Sequence, residues 1–454
     1  MRGDTIVAVA TAAGRSAIAV VRVSGRDAIE ISRRVAHPAG AWPPRARHAV
    51  RCGIHDVDDP ATPIDDGLVT VFPAPHSYTG ETVVEFSVHG GAYVPAAVMA
   101  ALVRAGARPA EPGEFTERAV LAGKLDLIRA EAIGDLIDAR TRAMHRTALR
   151  QLSGALSRRL DALRASVIEI EALLAYDVDF PGEDDGELPR RRVLDACDTT
   201  IASLDALLAT APAAELARDG VTVVLAGPPN AGKSSLLNAL VGESRVIVSD
   251  SPGTTRDAVD VLLEHDPWPL RLVDTAGLRE GADPVERLGI EVSARWLSRA
   301  DVVVACAETP QSLADTVVAI ARLSAAPIVR VLTKIDVAPD AGRSVKTTGA
   351  LAVSAARGTG LSALLAEITT AALTVAAPPD AASPVITRAR HREALERARG
   401  ELIEFRAAWS AGALPAPVAG VHVRAAIAAL DALIGTVDVD DVLARVFSTF
   451  CVGK

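Results

Sequence analysis

The most specific chemistry in this chain is carried by Gly227-Pro228-Pro229-Asn230-Ala231-Gly232-Lys233-Ser234. The spacing is GxxxxGK[ST], a glycine-bounded turn whose backbone N–H groups can face a run of phosphates. It lies between an apolar run at 221–226 and a helical pattern at 235–241, the strand-then-helix setting such a loop needs. Gly227 and Gly232 allow the turn, and the helix N-terminus adds positive potential. Lys233 would pair with the β- and γ-phosphates, and Ser234 would ligate Mg²⁺. Asn230, Ala231, Gly232, Lys233, Ser234 and Ser235 are the expected phosphate contacts. A structural glycine turn is the bland alternative, and the motifs that follow in order argue against it.

Asp274-Thr275-Ala276-Gly277 follows a strand-like run at 270–273. Asp274 would hold Mg²⁺ through water, and the Gly277 N–H would sense the γ-phosphate. Thr333-Lys334-Ile335-Asp336 follows another strand-like run at 328–332. The Asp336 carboxylate can accept from both N1–H and the 2-amino group of guanine. Adenine lacks both donors and would leave that acceptor unpaired, so the motif selects GTP over ATP. Ser354, Ala355 and Ala356 match the loop that backs the base. One departure stands out: the base-reading motif usually opens with Asn and here opens with Thr333, so specificity is expected to hold while affinity falls.

Hydrolysis needs a group that orients water. Ras-like enzymes use a Gln after the DTAG-type motif; here the residue is Leu278, which cannot serve. Glu286, a little downstream, offers a carboxylate that could align water, although an exposed Glu at a helix start reads equally well there. The loop Ser249-Asp250-Ser251-Pro252-Gly253-Thr254-Thr255 is the expected first switch, with Thr255 giving Mg²⁺ its second protein oxygen. The Asn230 amide oxygen and carbonyls of that loop could hold a monovalent cation beside the phosphates. A K⁺ there would neutralise developing charge as an arginine finger does.

Three textures of sequence must position these groups. Residues 1–122 mix β-rich runs (5–10, 18–23, 68–72, 82–88) with short helices and Pro/Gly turns, a compact α/β domain. From residue 123 to 216 the period is helical, with Leu152, Leu156, Leu160, Leu163, Val167, Ile170 and Leu174 at three- and four-residue steps. An acidic Gly/Pro-broken stretch at 177–187 interrupts this run. Residues 217–376 alternate strand and helix as in a doubly wound, mostly parallel sheet. Residues 377–454 return to helical periodicity and are short for a domain of their own. They would pack on the earlier helices, making the nucleotide domain an insertion.

The 454 residues carry 49% hydrophobic and 23% charged residues, a globular composition. Aromatics at 3% argue against a broad base-stacking platform, and a net charge of −9 gives no general attraction for nucleic acid. Cys52, Cys197, Cys306 and Cys451 have no CxxC or zinc spacing, which suits a reduced compartment. No apolar run approaches the ~20 residues that cross a bilayer, and the N-terminus runs straight into a strand-like pattern. The expectation is a cytoplasmic protein with no membrane contact. Arg140, Arg142, Arg146, Arg150, Arg158 and Arg159 could face an RNA or a partner, or form a solvated helix face.

Beyond these motifs the chain carries PGTTRD, DTAGLRE, VERLGIE and the terminal FSTFCVGK, together with DTIVAVAT, VRVSG, SYTGE, HGG, PGEFTERA and GKLDLIRAEAIGDLIDA. Across its whole length the chain resembles the MnmE (TrmE) family of tRNA modification GTPases. The resemblance implies an N-terminal folate-binding and dimerisation domain, a discontinuous helical domain, and a G domain inserted into it. It implies a homodimer whose G domains meet in a K⁺-dependent way, with K⁺ on Asn230, Ser249, Ser251 and Thr254, Mg²⁺ on Ser234 and Thr255, and Glu286 orienting water. A 5-formyl- or methylene-tetrahydrofolate cofactor is implied on Arg22, Glu85, Lys124 and Lys454, each of which alone reads as a surface charge. Cys451 has been attractive as a nucleophile, but nothing nearby in sequence would lower its pKa, so a structural reading is preferred. The implied reaction modifies C5 of the wobble uridine (position 34) of certain tRNAs to the aminomethyl or carboxymethylaminomethyl form. The implied partner is the FAD-dependent MnmG (GidA), in a heterotetramer-type complex; the flavin is expected there, because this chain has no GxGxxG after a strand.

Two rivals are an Era-like ribosome-assembly GTPase and a nucleotide-gated scaffold without enzymatic activity. The first predicts a KH module with a GxxG loop after the G domain, and no GxxG occurs from Ala376 onward. The intact phosphate and magnesium set argues against the second.

Overall fold

The computed structural model describes residues 3–179, 190–243, 246–247, 259–274, 295–337, 349–376, 384–412, 416–435, 450 and 453. The chain divides into two compact units, Met1–Gly134 with Leu430–Lys454, and Asp135–Ala429.

The first unit is built on β1 (Ile6–Val9), β2 (Ile18–Ser24), α1 (Ala28–Val35), β3 (Ala36–Pro38), β4 (Val50–His55), β5 (Pro63–Phe72), β6 (Val83–His89), α2 (Val94–Arg104), β7 (Arg108–Pro109), α3 (Glu114–Leu121) and α4 (Leu127–Asp138). The strands form one seven-stranded sheet in the order β3-β4-β5-β6-β2-β1-β7. The neighbours are antiparallel except β1 and β7. Alternation along the strands sorts side chains to two sides. Val7, Val21, Val23 and Phe86 pack in a cluster with Val98 and Leu102 of α2. Ile6 and Ala8 turn the other way, to Phe115 of α3. The apolar run at 94–103 is α2, a core helix, and no helix among the described residues is long and apolar enough to cross a membrane.

The second unit begins with α5 (Arg142–Leu152), α6 (Ala155–Asp179), α7 (Arg190–Leu208) and α8 (Ala211–Asp219). The leucine series seen in the sequence is divided here. Leu152 ends α5, Gly154 breaks the chain at φ +75°, and Leu156, Leu160, Leu163, Val167, Ile170 and Leu174 form the buried stripe of α6. Periodicity alone could not show the break, because the side-chain spacing survives it.

The nucleotide-binding module follows: β8 (Val221–Ala226), α9 (Lys233–Glu243), β9 (Val246–Ile247), β10 (Val259–Leu263), β11 (Leu270–Asp274), β12 (Val302–Ala307), α10 (Pro310–Ala321), β13 (Ile328–Leu332), β14 (Leu351–Ala352) and α11 (Leu361–Val375). Its sheet order is β14-β13-β12-β8-β11-β10-β9. The five strands from β14 to β11 are parallel, while β10 and β9 are antiparallel additions. Both faces are covered: Val223, Leu225, Val304 and Cys306 join one cluster, and Val224, Ala226, Val303 and Ala305 the other. Burial on both faces explains the near-continuous apolar runs that mark these parallel strands in sequence.

Beyond the module, α12 (Ala389–Ala411) and α13 (Ala416–Ile434) return to the helices. Asp135 binds Arg388 at 2.6 Å and Arg218 at 3.4 Å, and the Gln151 amide donates to Val385 O at 2.6 Å. These contacts pin the chain on both sides of the module to the same helices.

Candidate functional site

The site is assembled at the carboxyl ends of β8, β11 and β13, where a doubly wound sheet opens its crevice. The loop after β8 is forced close to β12. A Cβ on Gly227 would stand 2.1 Å from Cys306 O, so only glycine fits. Asn230 and Gly232 both take left-handed conformations, φ +63° and +78°. Gly232 O receives Leu236 N at 2.9 Å, which starts the helix directly behind the loop. The helix observed, Lys233–Glu243, is two residues longer at each end than the pattern suggested.

Lys233 is 5% exposed, and its ammonium donates to Gly227 O at 3.0 Å and Pro228 O at 2.9 Å. The loop thus closes around its own lysine, and the charge sits where phosphate oxygens would be received. Ser234 Oγ donates to Asp274 Oδ2 at 2.5 Å. A hydroxyl and a carboxylate side by side are hard oxygens of the kind Mg²⁺ takes, so the residues present fit that ion. Asp274 is 2% exposed at the end of β11, paired with Leu225 of β8 and Val259 of β10.

A cavity of about 230 Å³ opens beside the loop, lined by Gly232, Ser235, Leu236, Thr333, Lys334, Asp336, Val337, Val353, Ala355 and Ala356. The base-reading residues named from sequence share this cavity with the phosphate loop. Ser354 Oγ donates to Asp336 Oδ1 at 2.6 Å and, with the backbone N–H, holds that carboxyl below its ordinary range. It is therefore an anion at neutral pH, ready to accept. Ser354 is itself fixed by a bridge to Thr359. Lys334 takes φ +56° and pairs with Glu308 at 2.5 Å.

Thr333 has a role that its place in the motif did not reveal. Its buried hydroxyl donates to Ala231 O in the phosphate loop at 2.8 Å, with Ala307 O at 3.2 Å. The base pocket and the phosphate cradle are tied together through this one side chain.

In the first unit, Arg22 and Glu85 are direct cross-strand partners. Arg22 reaches Glu85 Oε1 through Nε at 2.9 Å and Nη2 at 2.8 Å. Its guanidinium carbon lies 5.6 Å from the centre of the Tyr78 ring and 5.8 Å from that of Phe115, within cation–π range. Arg22 Nη1 also donates to Gly453 O at 3.4 Å. Gly453 is confined, since a Cβ there would come within 2.5 Å of Val9 O. The residue before the chain's last is thereby seated against the N-terminal sheet. Lys124 packs its side chain over Gly80. Tyr78 and Phe115 were not singled out from sequence, because an aromatic pair flanking an arginine depends on a fold that brings positions 22, 78 and 115 together. The carboxylate, guanidinium and rings offer hydrogen-bonding and stacking partners suited to a pterin.

Ser249, Asp250, Ser251, Pro252, Gly253, Thr254, Thr255, Thr275, Ala276, Gly277, Leu278, Glu286, Cys451 and Lys454 lie outside the described residues. The other three cysteines are buried, and burial pushes the thiols of Cys52 up to about 11 and of Cys197 and Cys306 up to about 12, so none is a thiolate.

Comparison with known proteins adds two family models, the GTP-binding protein TrmE N-terminus over residues 5–124 and the MnmE helical domain over residues 127–451. A tRNA modification GTPase MnmE from Methylobacterium radiotolerans is 44% identical, covering 99% of both chains. That of Azoarcus sp. is 42% identical over 99% of this chain and 98% of its own. The Aquifex aeolicus protein of the same name is 37% identical over 99% and 100%. Among solved structures, the G domain of the T. maritima FeoB iron transporter matches 34% of this chain and 98% of its own at 26% identity, TM-score 0.27. A variant of Aquifex aeolicus Era bound to GDP.AlF4- matches 40% of this chain and 66% of its own at 24% identity, TM-score 0.26. With two family models in register along the sequence and relatives matched from end to end, this chain belongs to the MnmE family of tRNA modification GTPases.

Proposed function

We propose that this chain is a GTP hydrolase acting in tRNA modification, and that it works through K⁺, a folate cofactor and a flavoprotein partner. The observation that carries the GTPase reading is the convergence of Lys233, the Ser234–Asp274 pair and the Asp336–Ser354 pair at one end of a single parallel sheet. Lys233 exchanges its two backbone carbonyls for β- and γ-phosphate oxygens when nucleotide arrives. Ser234 ligates Mg²⁺, with Thr255 as the second protein ligand and Asp274 acting through a water. Asp336 reads the base edge. Glu286 orients the attacking water, a role that Leu278 leaves open.

Asn230, with Ser249, Ser251 and Thr254, holds K⁺ against the phosphates. The left-handed backbone at Asn230 supports this reading, since it sets that residue apart at the turn of the loop. Arg22, Glu85, Lys124 and Lys454 hold the tetrahydrofolate. The Arg22–Glu85 pair, the flanking rings and the seating of Gly453 support it. The reaction modifies C5 of the wobble uridine, in a homodimer joined by the FAD-dependent MnmG, within the cytoplasm. Domain limits near 122, 216 and 376 complete the reading. No observation favours an Era-like function, and full-length identity to MnmE relatives weighs against it.

Steady-state GTP hydrolysis by the purified chain tests the core of this. Exchanging K⁺ for Na⁺ at fixed ionic strength should slow turnover strongly, and Glu286→Ala should keep GDP binding while losing hydrolysis. Equal rates in the two salts would remove the cation role, and a normal rate in the variant would clear Glu286. Titration with 5-formyl-tetrahydrofolate should saturate; no binding would remove the folate site.

A further inference from the structure

Among the described residues, one of the cavities outside both the nucleotide and the folate residues is charged on two facing walls. It measures about 630 Å³ and is walled on one side by Arg140, Arg142, His145 and Arg146, and on the other by Glu264 and Asp266. The basic wall comes from the start of α5, where the Thr141 hydroxyl caps the helix by accepting from Met144 N at 3.2 Å. Arg142, Arg146 and Arg150 then recur at four-residue steps and share one face of the helix. The acidic wall is the turn between β10 and β11.

Contact across this cavity is loose: Glu264 Oε1 accepts from the Arg142 backbone N–H at 3.4 Å, and the guanidinium groups stand farther off. Arg142 Nε to Glu264 Oε1 and Arg146 Nη2 to Asp266 Oδ1 are both 3.7 Å, and the two arginine side chains are 83% and 61% exposed. These are ion pairs beyond hydrogen-bond distance. Elsewhere the same side chain makes close contact with its carboxylate, at 2.6 Å in Arg388–Asp135 and 2.8 Å in Arg22–Glu85. A guanidinium carries donors in a planar fork that matches a phosphate. Three such forks facing two loosely paired carboxylates leave a locally basic recess on a chain of net charge −9. The lining has no aromatic ring on which a base could stack, apart from the His145 imidazole. A phosphodiester backbone, rather than a base, is what this chemistry fits.

We propose that Arg140, Arg142 and Arg146 receive the phosphate backbone of the RNA substrate, and that Glu264 and Asp266 occupy the recess until RNA displaces them. This rests on the tRNA-modification reading. The displaced carboxylates sit on the β10–β11 hairpin, whose paired residues run from Leu263–Leu270 at the turn to Val259–Asp274 at the magnesium end. RNA and nucleotide therefore act on opposite ends of one hairpin.

The test is titration of the full chain with an unmodified tRNA transcript over a series of salt concentrations. Arg142→Ala with Arg146→Ala should lower affinity on the order of tenfold or more and flatten the slope of log K against log salt by about two. Arg142→Lys with Arg146→Lys keeps the charges and should keep the slope, which separates lost contacts from a damaged helix. Glu264→Gln with Asp266→Asn should tighten binding several-fold. Unchanged affinity and slope in the alanine pair would overturn the proposal. So would loss of binding to a flavoprotein partner with tRNA binding intact, which would make the recess a protein interface. A wild-type chain that hydrolyses GTP yet binds no tRNA even at low salt would instead bring down the tRNA reading, and this surface with it.

Discussion

Thr333 shows how a single side chain can link two halves of a binding site. Its hydroxyl ties the loop that would hold phosphates to the strand that would hold the base. Replacing it with Val keeps the shape and leaves the buried Ala231 carbonyl without that donor, which costs about 1–3 kcal/mol. Labelled GDP should therefore bind Thr333→Val roughly 5- to 150-fold more weakly, and Thr333→Ser should restore most of the loss. Wild-type affinity in the Val variant would show that the tether is idle. The phosphate loop itself was legible in the sequence, because covalent spacing alone fixes where its glycines, lysine and serine stand. The tether was not, since Thr333 and Ala231 are 102 residues apart and only the fold makes them neighbours. The clamp of Tyr78 and Phe115 on Arg22 escaped for the same reason.

Elements were legible in proportion to how completely they are buried. The strands Val221–Ala226 and Ile328–Leu332 lie inside a two-faced sheet, and their mostly apolar runs, broken only by Thr222 and Arg330, marked them to the residue. β3, β4 and β7 went unseen: β3 and β7 are only three and two residues long, and the alternation of β4 rests on Cys52 and Ile54 with Gly53 between them. Helix α3 is held to the N-terminal sheet by charge as well as by the packing of Phe115. Arg118 reaches Asp4 at 2.8 Å, Glu81 at 3.1 Å and Glu114 at 2.9 Å, while Arg108 reaches Glu114 at 2.6 Å and Asp4 at 2.7 Å. Burial raises the Glu114 carboxyl, but the hydrogen bonds from Arg108, the Glu111 N–H and Arg118 outweigh it and leave the pKa below its ordinary value. A lowered carboxylate stabilises the fold above its unfolded pKa and loses that contribution as pH falls through the folded value. Glu114→Gln should cost about 2–3 kcal/mol at neutral pH, read as a lower thermal midpoint, and the gap to wild type should close below about pH 4. A gap independent of pH would mean that packing, not charge, holds α3.

At the scale of the molecule, the chain uses its two ends together. Leu430–Lys454 belongs to the same unit as Met1–Gly134, and Gly453 rests against Val9 and Arg22. The nucleotide module is enclosed within the other unit, with Asp135, Arg218, Arg388 and Gln151 fastening the chain before and after it. An interrupted helical region was readable from the change in period, whereas the fastening contacts span up to 253 residues and had no local signature. The central claim is that this module reads guanine through Asp336 in the cavity it shares with the phosphate loop. Competition between guanine and xanthine diphosphates for the Asp336→Asn chain tests it most directly. GDP affinity should fall by a factor on the order of 100 or more while xanthosine diphosphate, whose 2-oxo group can accept from the new amide, becomes the preferred ligand; an undiminished preference for GDP would contradict the account.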